Sequence, residues 1–150
     1  MSIPAFTLSK QYTLAEINDR CKNTLNEHLG MEFIELGENF LKARMPVDHR
    51  TCQPLGLLNG GASLALAEST GSMAANLCLD REKYVALGLD INGNHLKSVK
   101  GGYVYAIATP FHLGKSTHVW QIRIEDEEGN LACICRLTMA VVEVQKLKNS

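Results

Sequence analysis

The N-terminal part of the chain carries apolar residues at helical spacing. They recur three or four positions apart, at Leu14, Ile17, Cys21, Leu25 and Leu29, which is the period of one helix face. Thr13, followed three residues later by Glu16, has the form of a capping box, which satisfies free N–H groups at a helix start. The pattern predicts one short helix that ends near Gly30.

The period then changes from helical spacing to alternation over residues 31–47. The apolar positions in the second half of this stretch are Leu41, Ala43 and Met45, with charged residues between them. Alternation of this kind is typical of a strand with one buried face. Residues 48–59 contain a proline and a glycine and predict a loop.

The longest predicted helix follows, over residues 60–79. This stretch is rich in Ala, Leu and Ser and contains no Pro, and its strongest helix formers are unbranched. Asn59, directly before it, is a residue type that caps helix starts well. We therefore expect a central helix that begins at Gly60.

Four runs of strand character come after the central helix, over residues 85–96, 103–111, 118–125 and 131–143. The third alternates most clearly and contains Trp120, which we expect in the core. One strand, a long helix and four strands joined by short turns is an α+β order, with a largely antiparallel sheet packed on one helix. A second copy of the chain would cover the edge or face that such a sheet leaves open.

Composition narrows the class of protein. The 150 residues carry 15 Lys+Arg and 16 Asp+Glu, a length typical of a single domain. We therefore expect one domain over residues 1–150, with residues 1–30 as its N-terminal helical segment. The charge balance gives no reason to expect nucleic acid as a partner. No apolar run approaches the ~20 residues that span a bilayer, so we expect no membrane insertion and a cytosolic location.

The five cysteines lie in apolar surroundings, at Cys21, Cys52, Cys78, Cys133 and Cys135. Cysteine packs mostly as a small apolar side chain, and the one-residue gap of the last pair differs from the two-residue gap of zinc and redox motifs. The pattern predicts free thiols and no metal.

One carboxylate distinguishes the central helix. Glu68 is the only Asp, Glu, Lys or Arg between Arg50 and Asp80. A lone buried carboxylate is costly and is kept where it has a task, whereas one on a solvent-facing side of the helix needs no such explanation. Composition alone leaves both interpretations open.

The start of the same helix, Asn59-Gly60-Gly61, is the second candidate for chemistry. Free N–H groups in a first helical turn, made accessible by two glycines, can stabilise an oxyanion, although a plain cap with a tight turn is the simpler interpretation. Glu68 lies about 12 Å further along the helix axis, too far for one small reacting group. A shared catalytic role therefore predicts a site between two subunits.

A long motif connects these features to a known family. The segments that make up this motif are QPLGLLNGGAS at 53–63, AES at 67–69 and GLDINGNHLKS at 88–98, with MPVD at 45–48, GS at 71–72 and VWQI at 119–122. Together they closely resemble the hotdog-fold acyl-CoA thioesterases, in particular the bacterial branch that includes 1,4-dihydroxy-2-naphthoyl-CoA thioesterase of menaquinone biosynthesis. The resemblance runs from about Leu29 to Val142 and implies a long central helix wrapped by a largely antiparallel sheet of five or six strands.

The resemblance also implies a role for each matching residue. Glu68 matches the catalytic carboxylate, which acts as a nucleophile or as a general base on water. The Gly60 N–H matches the oxyanion donor, and Gln53 matches a side chain that orients the thioester or water. Ser72 matches a position that supports the carboxylate or water. Asn59 stands where this branch usually has histidine, and an amide can cap the helix and donate a hydrogen bond but cannot titrate near neutral pH.

Two further sets of residues match the stretches that bind the substrate around its coenzyme A part. They are Gly88 with His95, Leu96, Lys97 and Ser98, and then His112, Leu113, Gly114, Lys115, Ser116 and Thr117. Three lysines, Lys97, Lys100 and Lys115, are suitable partners for its phosphates, whereas the two histidines are equally compatible with plain surface or interface positions. No cofactor is expected, because coenzyme A belongs to the substrate.

The sequence thus favours hydrolysis of an acyl-CoA thioester to free acid and CoA. We expect a homo-oligomer, either a dimer or a tetramer built from two dimers. A non-catalytic acyl-CoA-binding module is an alternative that Asn59 supports. A hydratase or dehydratase is a third possibility, since a fold alone does not fix a function.

Overall fold

The computed structural model describes residues 12–148, so residues 1–11 of the predicted N-terminal segment lie outside it. The helices are α1 (Leu14–Asp19), α2 (Leu25–His28), α3 (Gly60–Leu77) and α4 (Val144–Lys148). The strands are β1 (Glu32–Leu36), β2 (Leu41–Pro46), β3 (Tyr84–His95), β4 (Tyr103–Leu113), β5 (Thr117–Glu125) and β6 (Leu131–Glu143). Within residues 12–148, no helix is long and apolar enough to cross a membrane.

The six strands form one antiparallel sheet in the order β1-β2-β4-β5-β6-β3. Helix α3 packs against strands β2 to β6. The alternation of the strands explains this packing, because the inward side chains of β5 and β6, such as Trp120 and Leu137, are completely buried. The α+β class, the hotdog arrangement of sheet and helix, and the core position of Trp120 are confirmed.

The predictions for the N-terminal third were wrong in two places. The single helix is in fact two, because Asn23 adopts a φ of 59°, a left-handed conformation that asparagine tolerates and that a helix does not. The single strand over residues 31–47 is a hairpin of β1 and β2, and the Gly37 N–H closes its turn by donating to the Phe40 carbonyl at 2.9 Å. The capping box of Thr13 and Glu16 is confirmed.

The remaining elements follow the predictions to within two residues, a difference that arises at any element end. Helix α3 begins at Gly60 with Asn59 as its cap, and β6 has the predicted bounds. The short α4 was not predicted. All five cysteines are free thiols, as expected.

Helix α3 runs alongside β3 in the opposite direction, and this arrangement positions the candidate site. Successive turns of the helix meet successive parts of the strand, Gly60 with His95, Leu64 with Gly93, Glu68 with Gly88 and Asn76 with Ala86. Because β3 is the last strand of the sheet, the chemistry-bearing residues of α3 lie next to an open edge.

Candidate active site

Asn59 forms the cap at the start of α3. Its backbone is extended, and its Oδ1 accepts hydrogen bonds from the N–H groups of Gly61 at 2.7 Å and Ala62 at 3.3 Å. This cap does not use the N–H of Gly60. A Cβ added to Gly60 would lie 2.9 Å from Nε2 of His95, so the imidazole lies close to the helix start and a side chain at Gly60 would displace it.

The loop before α3 holds Gln53 beside this helix start. An antiparallel bridge joins Cys52 to Leu58, and the Gln53 N–H donates to the Leu57 carbonyl at 2.8 Å. The side-chain oxygen of Gln53 accepts a hydrogen bond from the Leu55 N–H. Because this oxygen is engaged within the loop, the Gln53 side chain has its NH2 group left to donate to a ligand.

A cleft of 320 Å³ lies between this loop, the helix start and the end of β3. Its lining includes Gln53, Gly60 and all four residues from His95 to Ser98. The structure therefore brings together the predicted oxyanion donor, the predicted orienting amide and one of the two predicted substrate-binding segments. We call this space the Gly60 cleft.

Lys97, at the rim of the Gly60 cleft, already has a counter-charge. Its Nζ lies 2.5 Å from Oδ2 of Asp126, whose side chain is only 8% exposed. This ammonium group, with hydrogen bonds from Asn130, holds the pKa of Asp126 well below its usual range. A phosphate at Lys97 would compete with this ion pair, whereas the exposed Lys100 and Lys115 have no ion pair within the part of the chain that the structure describes.

Glu68 lies where α3 meets β3. A Cβ added to Gly88 would lie 2.5 Å from Oε1 of Glu68, so the carboxylate rests directly on the Gly88 backbone. The residue is half-buried, which falls between the two interpretations that the sequence left open. Ser72, one turn later, lines a separate groove, and neither Glu68 nor Ser72 lines the Gly60 cleft.

The second predicted substrate-binding segment, residues 112–117, lies far from the first. His95 pairs with Cys133 of β6, whereas His118, directly after the second segment, pairs with Met139 of β6. Six residues of extended strand separate these two β6 positions, about 20 Å at 3.3 Å per residue. One copy of the chain therefore does not bring both segments to one small ligand.

His118 is a buried titratable residue that the sequence motifs did not single out. It is 3% exposed, and its Nδ1 has no hydrogen-bond partner among residues 12–148. Burial lowers the pKa of His118, and the neighbouring His112 lowers it further, while a hydrogen bond with the Gly114 backbone opposes both effects. The alternation of β5 could have revealed its burial, because His118 occupies the first inward-facing position of that strand.

Comparisons with known proteins agree with this geometry. The family model described as the thioesterase superfamily matches residues 55–133. A 1,4-dihydroxy-2-naphthoyl-CoA hydrolase from Escherichia coli (strain K12) is 46% identical over 133 residues, which cover 89% of this chain and 97% of that protein. The proofreading thioesterase EntH from Cronobacter turicensis is 45% identical over 133 residues, 89% of this chain and 96% of that protein.

A solved structure gives the same result. The crystal structure of a thioesterase from Haemophilus influenzae superposes with a TM-score of 0.89 at 49% sequence identity, covering 91% of this chain and 95% of that one. The chain belongs to the thioesterase superfamily, and the resemblance found in its sequence is confirmed. Its family identifies it as a hydrolase of the thioesterase type, which favours hydrolysis over the binding-module and hydratase alternatives.

Proposed function

We propose that the protein hydrolyses acyl-CoA thioesters at a site that two copies of the chain form together. The observation that carries this proposal is that, in one copy, Glu68 lies outside the Gly60 cleft that holds Gln53 and His95. One relative is named as a hydrolase of a CoA thioester, which supports coenzyme A as the thiol part of the substrate.

Strand β3 offers the edge on which a second copy can pair. It is twelve residues long and lies at the end of the sheet, and its Leu87 and Leu89 are 42% and 65% exposed. A long edge strand with exposed apolar side chains is a template for pairing with another strand. Two copies related by a twofold axis would join their β3 strands antiparallel through the same surface.

A twofold axis at Asn92 gives this pairing a register. Ile91 then faces the partner's Gly93. The bulge between Gly88 and Asp90 leaves one residue unpaired, so the next pair places Gly88 opposite the partner's His95. Neighbouring strands lie about 4.8 Å apart. Since Glu68 rests on Gly88 and Gly60 lies next to His95, each Glu68 comes beside the partner's Gly60. A tetramer of two such dimers would keep the same site.

In this site the Glu68 carboxylate removes a proton from a water molecule, and the oxygen of that water attacks the thioester carbonyl carbon. The carbonyl oxygen gains the negative charge, and the partner's Gly60 N–H, at the positive end of α3, stabilises it. The Gln53 amide donates a hydrogen bond that orients the carbonyl or the water. The C–S bond then breaks, and the proton on Glu68 passes to the CoA thiolate, which leaves free acid and CoA.

Two inactive variants test both the chemistry and the shared site. Glu68→Gln keeps the size of the side chain and removes the base, so kcat should fall by roughly 100-fold to 10,000-fold while CoA binding persists. Gln53→Ala removes the orienting amide from the other half of the site, so its kcat should fall as well. Co-expressed as mixed dimers, the two variants should recover about a quarter of the wild-type activity, because half of the dimers carry one intact site.

Each result has a distinct meaning. Full activity of Glu68→Gln would remove this residue from the mechanism, and mixed dimers without recovery would place the whole site within one copy. A wild-type protein that binds acyl-CoA but releases no free CoA in a thiol assay would instead be the non-catalytic binding module.

A further inference from the structure

A second groove lies beyond Glu68, at the end of α3 away from the Gly60 cleft. Its volume is 320 Å³, within the range of sites for small molecules. Its lining includes Arg20 of the turn after α1, Ser69, Ser72 and Asn76 of α3, and Arg81 of the turn before β3. We call it the arginine groove.

The two arginines of this groove carry positive charge that no carboxylate neutralises by contact. Their guanidinium carbons lie 4.4 Å (Arg20) and 5.9 Å (Arg81) from the centre of the Tyr12 ring. Within residues 12–148, neither has a carboxylate oxygen within 4.0 Å. The aromatic ring holds both cations at one wall of the groove and leaves their N–H groups for an anion.

Of the four carboxylates near these arginines in sequence, Glu82 forms no ion pair within residues 12–148, and the other three are engaged elsewhere. Glu16 accepts hydrogen bonds from the N–H and Oγ1 of Thr13, at 2.7 and 2.9 Å, and Arg20 is the weakest of the influences that lower the pKa of Glu16. Asp19 pairs with Lys22 at 2.5 Å, and Asp80 pairs with Lys83 at 2.9 Å. The positive charge of the groove is therefore available to a ligand.

The amide side chains at the groove build its walls. Asn76 donates to the Ser72 and Ala86 carbonyls, at 2.9 and 3.0 Å, and accepts from the Ala86 N–H at 3.0 Å. Asn26 accepts from the Ser69 hydroxyl at 2.9 Å. Because these amides are engaged, the two arginines are the groups that select the charge of an occupant.

The arginine groove lies further along α3 than Glu68, the residue at which the proposed site would cleave the thioester. Ser72 lies one helical turn beyond Glu68 and Asn76 two turns, about 6 and 12 Å along the axis. We infer that the arginine groove binds the acyl part of the substrate and selects acyl groups with a carboxylate at their far end. This inference rests on the proposed function, and it names the substrate class as monoacyl-CoA thioesters of dicarboxylic acids.

A pair of substrates of equal chain length isolates the role of the charge. Adipoyl-CoA and hexanoyl-CoA differ only in a terminal carboxylate or methyl group. Arg20→Met and Arg81→Met each remove one charge and keep an unbranched side chain. We expect either substitution to lower kcat/KM for adipoyl-CoA roughly tenfold, the loss of one charge-assisted contact, and to leave the value for hexanoyl-CoA within about twofold.

Arg136→Met is the matched control. Arg136 is an exposed arginine between the buried Cys135 and Leu137 of β6, so it points to the face of the sheet away from α3. Its removal should leave the ratio of the two kcat/KM values unchanged. A lower ratio in the groove variants alone would then report the groove and not the net charge of the protein.

The other outcomes overturn the inference in separate ways. Equal losses for both substrates would mean that the arginines bind the phosphates of coenzyme A, which the two substrates share. Unchanged kcat/KM values for both substrates would mean that they bind no part of the substrate. If neither substrate is hydrolysed, the proposed function fails. Dissociation constants of the two thioesters, measured by calorimetry, then still test whether the groove binds the terminal carboxylate. In that case, the same affinity ratio with and without Arg81→Met would contradict it.

Discussion

At the residue level, Asn59 serves as a helix cap at the position where the thioesterase branch that the sequence resembles usually has histidine. Its oxygen accepts from the first turn of α3, and its amide cannot hold a proton near neutral pH. We expect Asn59→His to raise kcat/KM about tenfold, or 1.4 kcal/mol of transition-state stabilisation, because imidazole can pass a proton to the leaving thiolate. Loss of the amide cap should lower the free energy of unfolding by about 1 kcal/mol.

Thiol-release kinetics and urea unfolding of the same preparations measure the two effects. Asn59→Asp is the control, because its carboxylate keeps the cap oxygen and does not titrate near neutral pH. It should retain stability without a gain in rate. An unchanged or lower kcat/KM for Asn59→His would contradict a role for this position in proton transfer.

The individual residues show what a sequence can reveal about a site. Glu68 was found because it is the only charge in a long uncharged stretch, and Asn59 because caps have a local signature. The sequence predicts Lys97 as a partner for phosphate but does not reveal its ion pair with Asp126, which lies 29 positions away in the chain. Long-range pairs of this kind leave no local pattern.

At the level of elements, two glycines adapt α3 to the sheet for different reasons. A Cβ on Gly71 would lie 2.7 Å from Cδ2 of Leu137, inside the core, whereas a Cβ on Gly88 would meet Oε1 of Glu68, the end of a flexible side chain. We expect Gly71→Ala to destabilise the fold by about 1 kcal/mol net, because overpacking costs about 1–3 kcal/mol and alanine returns up to about 1 kcal/mol of helix propensity.

Gly88→Ala should show the opposite profile. The free energy of unfolding should change by less than about 0.5 kcal/mol, while kcat falls at least roughly tenfold because the displaced carboxylate no longer holds its geometry. Chemical denaturation and steady-state kinetics of both variants make the comparison. A Gly88→Ala enzyme with full kcat would show that contact with Gly88 does not position Glu68.

The elements themselves were predictable where one local rule dominated. Asn59 and the uncharged run after it defined α3, and clear alternation defined β5 and β6. The hairpin of β1 and β2 was missed because the buried Met31 and Phe33 are in phase with the alternation of β2 beyond the turn at Gly37. The break between α1 and α2 was missed because the apolar spacing continues through it, although Asn23 within the break has a positive φ that no continuous helix allows.

At the level of the whole molecule, two separations favour a site shared between copies of the chain. Gly60 and Glu68 lie apart on one helix, which the spacing of the sequence already indicates, and the register of β6 separates the two predicted substrate-binding segments. Neither separation identifies the surface that joins two copies. The strand order supplies that information, because it leaves β3 with one unpaired side.

The register proposed for the β3 pair makes a covalent test possible. With the twofold axis at Asn92, this exposed residue faces its own copy across the dimer. Directly opposed residues of antiparallel strands have Cα atoms about 4.5–5.5 Å apart, within the range that a disulfide bridges. We therefore expect Asn92→Cys to form a disulfide-linked dimer under mild oxidation, visible on non-reducing gels and reversed by dithiothreitol.

Asn94→Cys is the matched control for this experiment. It lies on the same strand and is also exposed, but two copies of it would be about four residues apart across the axis, about 13 Å, too far for a disulfide. Efficient linkage of Asn94→Cys instead of Asn92→Cys would move the axis and separate Glu68 from the partner's Gly60. Linkage of Asn92→Cys with thioesterase activity retained would support both the β3 dimer and the site formed across it.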